Sequence, residues 1–73
     1  MDYIQFIIPN GSMRKAKRMM VLSEMLTWLT YYEIKFEVDL AGYELNYHFS
    51  NPVDLSFFIM NPPKLTEKFT VVK

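Results

Sequence analysis

From Ile34 to Phe49 the chain alternates apolar and polar residues on both sides of one glycine-containing turn. Ile34, Phe36, Val38 and Leu40 alternate with Glu33, Lys35, Glu37 and Asp39; past Ala41-Gly42, Tyr43, Leu45, Tyr47 and Phe49 alternate with Glu44, Asn46, His48 and Ser50. Successive strand side chains point to opposite faces, so period two on both arms specifies an antiparallel hairpin with one apolar and one wet face. That apolar face needs a cover, and the rest of the chain has to supply it.

The cover is a helix. Residues 12–31 contain no Pro or Gly and are dominated by Met, Leu, Ala and Lys, all good helix formers, with Ser12 as a candidate N-cap. A short Ile- and Phe-rich strand at residues 3–8 precedes it and is stopped by Pro9-Asn10-Gly11. Residues 53–60 admit two readings. As a strand, Val53, Leu55, Phe57 and Ile59 share one face, and Phe58 and Met60 the other. As a helix, Asn51 caps, Pro52 takes the first position, and Leu55, Phe58 and Ile59 form a stripe. The Phe-Phe-Ile run favours the strand. Pro62-Pro63 breaks the chain again, and residues 68–72 read as a last edge strand. The expected fold is therefore a small single α+β domain over residues 1–73, with one main helix packed on an antiparallel meander, β-α-β-β-β-β. The alternative is the ferredoxin-like order β-α-β-β-α-β.

Composition narrows the function classes. The 73 residues include no Cys, which removes disulfide scaffolds and Cys-based zinc sites. Aromatic residues make up 16% of the chain, too many for a disordered tail. No run approaches the roughly 18 apolar residues of a membrane span, and no basic region precedes the first apolar run. A cytoplasmic chain without membrane association is the expectation. A domain this small buries only about 60% of its unfolded surface, so self-association is a natural source of further burial.

Eight basic and eight acidic residues cancel overall but are unevenly placed. At 100° per residue, Met13, Ala16, Met19 and Met20 cluster on one side of the helix start. Val21, Leu22, Met25, Leu26, Trp28, Leu29 and Tyr32 cluster nearly opposite and face the sheet. Three accounts fit this change of face: a helix that begins near Arg18, a kink near Met20, or a continuous helix whose first stripe is covered by another chain. Methionine is flexible and polarizable, which suits adaptable binding surfaces. Met13, Met19 and Met20, with Phe58 and Met60 if residues 53–60 are a strand, are the candidate partner-binding residues.

Arg14, Lys15, Lys17 and Arg18 form a basic start to the same helix and are the candidate anion- or nucleic-acid-binding residues. At the other pole, a loop at Ala41-Gly42 sets Asp39 across from Glu44 and Lys35 across from His48. With Glu37 this makes an acidic patch at the hairpin tip, which the basic segment of a second copy could meet. No metal-binding motif, catalytic triad, paired-acid motif or phosphate-cradling loop is present, so neither an enzyme nor a cofactor is expected.

Residues 9–20, after a short strand and before Ile34-Lys35-Phe36-Glu37-Val38-Asp39, resemble the opening β-α-β of glutaredoxins. The turn at Asn10 to Met13 lacks that family's Cys-x-x-Cys, so its redox chemistry does not carry over. The leading expectation is a small non-enzymatic protein-binding module that self-associates, an inhibitor or adaptor of the kind phages and mobile elements make. The alternative is a nucleic-acid or phosphate-binding module built on the basic helix start.

Overall fold

A computed structural model describes residues 2–65 and 67–73. Strand β1 (Tyr3–Ile7) lies inside the sheet, and its alternation is complete: Ile4 and Phe6 are fully buried while Tyr3, Gln5 and Ile7 face the other way. After the Pro9-Asn10-Gly11 break, helix α1 (Arg14–Tyr31) runs without interruption for 18 residues. Its N-cap is Met13 with no side-chain hydrogen bond, so the expected Ser12 cap does not form. Nor does the helix begin late, near Arg18.

Val21, Met25 and Leu29, spaced four apart, are the fully buried line of α1. The helix ends in a Schellman motif: Ile34 N–H donates to Leu29 O at 2.9 Å and Glu33 N–H to Thr30 O at 3.1 Å, with Glu33 at φ 55°. The chain then enters the hairpin of β2 (Phe36–Ala41) and β3 (Glu44–Phe49). Its two-residue loop is Gly42-Tyr43, with Gly42 at φ 59°, the positive φ that a type II′ turn requires at its first central position.

Residues 53–60 are helical, which corrects the strand reading. Helix α2 (Pro52–Met60) starts at Asn51, whose side-chain Oδ1 accepts from Val53 N–H at 2.9 Å. Pro52 occupies the first turn, where its missing N–H is not needed, and Asp54 faces the positive end of the helix dipole. These start signals outweigh the β-propensity of Phe57-Phe58-Ile59, and burial follows helical spacing through Leu55 and Phe58. Strand β4 (Phe69–Val72) closes the chain as an edge strand, as expected.

The sheet order is β2-β3-β1-β4, with every neighbouring pair antiparallel. β1 and β2 therefore run the same way with β3 between them, and β3 and β4 run the same way with β1 between them. Two interlocked β-α-β units produce this, so the α+β domain has the ferredoxin-like order and not the four-strand meander. A meander would place a strand from residues 53–60 on the edge of β3 that β1 occupies. Both helices cover one face, where Ile4, Phe6, Ile8, Leu45, Tyr47 and Phe49 meet Val21, Met25, Leu29, Leu55 and Phe58. The other face is open.

Candidate functional site

Beside the buried line of α1, the line through Leu26 and Leu22 continues by four-residue steps back to Arg18 and Arg14. Arg14 turns onto the hairpin tip: its Nη2 donates to Gly42 O at 2.7 Å, and its guanidinium carbon stands 5.2 Å from the Tyr43 ring centroid. Lys17, four residues before Val21, continues the buried line instead and pairs with Glu67 at 3.7 Å. The four cations thus do not converge on one anion. Arg14, Lys15 and Arg18 line a depression of about 370 Å³ together with Met19 and Leu22. Arg14 thus reaches the hairpin tip within one chain, through the Gly42 carbonyl and the Tyr43 ring.

Leu22 also lines the next depression, a groove of about 180 Å³ bounded by Leu22 and Leu26 of α1, Phe36 and Val38 of β2, and Tyr47 of β3. The two depressions form one channel along the flank of α1 that faces the sheet edge. It is predominantly apolar, and large side chains around it reach water: Met19 is 62% exposed, Leu26 56% and Leu40 47%. Leu26, expected in the core, belongs to this flank because it lies 100° past the Val21–Met25–Leu29 line's centre. β2 provides the outer wall and is itself a sheet edge.

The expected methionine patch divides. Met19 stands three residues before Leu22 and joins the channel, whereas Met20 lies 100° further round α1 and Met13 precedes the helix; all three are exposed. Met60 is exposed at the end of α2. Phe58, by contrast, is fully buried against Phe49 and Phe69, with ring centroids 5.7 and 5.0 Å away. It is a core residue and leaves the partner-binding set, because a helix turns positions 58 and 60 to different sides.

On its other flank, α1 carries an aromatic corner that includes Trp28 and Tyr32, both expected to face the sheet. Trp28 stacks on Phe57 at 5.6 Å and contacts Tyr32 at 4.8 Å, and Tyr31 packs edge-on against Tyr32. Tyr31 and Tyr32 are exposed and line, with Trp28, Thr27, Pro63 and Lys64, a depression of about 390 Å³. The spacing Trp28-x-x-Tyr31-Tyr32 was its available signal.

The open face is arranged in cross-strand rows. Glu37, His48 and Tyr3 form one row and Asp39, Asn46 and Gln5 the next, with Glu44 beyond, opposite Ala41. The expected register was therefore off by two: Asp39 faces Asn46 and not Glu44, and His48 faces Glu37 and not Lys35. Like charges are thereby kept from sitting directly opposite one another. The Tyr3 ring lies 4.7 Å from that of His48. Gln5 Nε2 donates to Glu44 Oε1 at 3.2 Å and Asn46 Oδ1 at 3.1 Å, while Asn46 Nδ2 donates to Glu44 Oε1 at 3.2 Å. Asn46 can be buried because this network satisfies it.

Glu37, Asp39 and Glu44 share this face in successive rows. Among the described residues no group of three His, Cys, Asp or Glu side chains is placed to hold a metal ion. No described helix is long and apolar enough to cross a membrane. No protein-family model, curated protein or solved structure matches the chain.

Proposed function

We propose that the chain is a small non-enzymatic protein-binding module that engages another protein through the flank formed by α1 and β2. The observation that carries this reading is the apolar channel with Met19, Leu26, Val38 and Leu40 exposed along it, rimmed by Lys15 and Arg18 and bordered by a sheet edge. A contiguous apolar strip of this kind on so small a domain raises its free energy in water and is relieved by contact with a partner. Its flexible methionine and its mixed apolar and charged border suit a protein surface.

The nucleic-acid reading draws on Arg14, Lys15, Lys17 and Arg18. Two of those four are engaged within the chain, Arg14 at Gly42 and Lys17 at Glu67. An inhibitor or adaptor acting in the cytoplasm remains the biological setting that best suits a module of this size and composition.

The test is capture of partners from the native cell by the tagged chain, by Leu26→Asp and by Met60→Asp, each with and without nuclease. Both positions are exposed, so both variants should keep the wild-type circular dichroism and thermal midpoint. The reading expects a protein retained by the wild type and by Met60→Asp, lost with Leu26→Asp, and indifferent to nuclease. Equal retention by both variants, or loss on nuclease treatment, contradicts it.

A further inference from the structure

Resting on that reading, we infer that the partner docks by adding an extended segment to the free edge of β2, and that this segment alternates apolar residues with two basic ones. The edge has six residues and no proline, and among the described residues no strand pairs with the backbone donors and acceptors on its outer side. A strand laid there places alternate side chains on the two faces of the sheet. Those on the helix side enter the groove of Leu22, Leu26, Phe36 and Val38, which accepts apolar groups. Those on the open side lie beside Glu37 and Asp39.

Charge decides the rest. No strand position on the open face is Lys or Arg: β1 presents Tyr3, Gln5 and Ile7, β3 presents Glu44, Asn46 and His48, and β4 presents Thr70 and Val72. Opposite charges paired across strands attract, and like charges repel. The complementary segment therefore has cations opposite Glu37 and Asp39, two residues apart. Lys35, one residue before β2 on the same face, confines the basic stretch to those two positions.

The same arithmetic disfavours a second copy as the occupant. Residues directly opposite in an antiparallel pair share a face, so a two-fold pairing of β2 with itself centres on one residue. The two registers that pair five of its six residues centre on Val38 or Asp39. The first sets Glu37 against the second copy's Asp39 twice; the second sets Asp39 against itself. The acidic residues guard this edge against self-pairing and leave it open to a basic strand.

The test titrates the isotopically labelled full chain with two short capped peptides, one alternating Val with Lys and one alternating Val with Glu, followed by amide NMR. The expected result is that the Val/Lys peptide shifts the amides of β2 together with Leu22 and Leu26. The Val/Glu peptide should bind about tenfold more weakly, and the double variant Glu37→Lys with Asp39→Lys should reverse that preference. Equal binding of both peptides, an unreversed preference, or shifts centred on Trp28 and Tyr31 overturns the inference. If neither peptide moves β2 while Leu26→Asp still loses its captured partner, strand addition is wrong and the binding surface stands. A wild-type dimer whose interface maps to β2 would also overturn it.

Discussion

Arg14, at the first position of α1, donates to the carbonyl of Gly42, at the turn of the hairpin, across 28 residues of sequence. This bond pins the helix start over the hairpin tip and closes one end of the channel. Arg14→Ala should lower stability by about 1 kcal/mol, from a charge-assisted bond and an exposed cation–π contact. Arg14→Lys should recover only part of that, since a point charge cannot serve carbonyl and ring together. Urea unfolding of the three proteins measures both steps.

Tyr47 is buried in the central strand β3, and desolvation pushes its phenol up from the ordinary value of 10.0 to about 12. The unfolded chain loses this proton first, so the contribution is whole below pH 10 and fades as pH rises through 12. Integrated across that window it amounts to about 3 kcal/mol. Relative to Tyr47→Phe, the wild type should lose stability by about 1.4 kcal/mol per pH unit between pH 10 and 12. Parallel stability curves for the two proteins across this range would contradict the assignment.

Phe58 and Met60 are two residues apart, just over half a helical turn, and differ wholly in burial, at 0% and 79% exposed. Phe58→Ala should cost about 3–5 kcal/mol, enough to unfold much of a domain this small. Met60→Ala should stay within about 0.5 kcal/mol of the wild type. Thermal and urea denaturation distinguish these outcomes directly, and a strand at residues 53–60 would predict no such contrast.

Glu33 occupies the left-handed position of the α1 Schellman motif, where a side chain is strained and glycine is not. Glu33→Gly should therefore stabilise the protein by about 0.5–1 kcal/mol, the relief of strain exceeding the added entropy of the unfolded chain. A destabilised variant would show that the carboxylate does something the backbone geometry does not explain.

What could be read from residues alone follows the range of the interactions. The hairpin was legible because alternation is local, yet its register slipped by two. The loop is Gly42-Tyr43, set by glycine at the first loop position, and alternation alone does not locate it. Residues 51–54 hold the helix signal for α2 in full, a capping Asn51, Pro52 and Asp54, against which the β-propensity of Phe57-Phe58-Ile59 pulls the other way. The interlocked sheet order depends on β1 inserting between β3 and β4, a pairing that no local pattern encodes. For the same reason the candidate site was half visible. Met19 is legible as surplus apolar surface, but the groove between Leu22, Leu26 and β2, and the different partners of Arg14 and Lys17, emerge only when α1 is laid across the sheet.

The binding claim is tested most directly by hydrogen–deuterium exchange on the chain alone and with its captured partner. The outer-edge amides of β2 lack a strand partner in the free chain and gain one on binding. Exchange should slow in β2, with weaker protection along α1 near Leu22 and Leu26 and no change in β4. Protection confined to the helix start at Lys15 and Arg18, or to the open face around Tyr3 and Asn46, would contradict it.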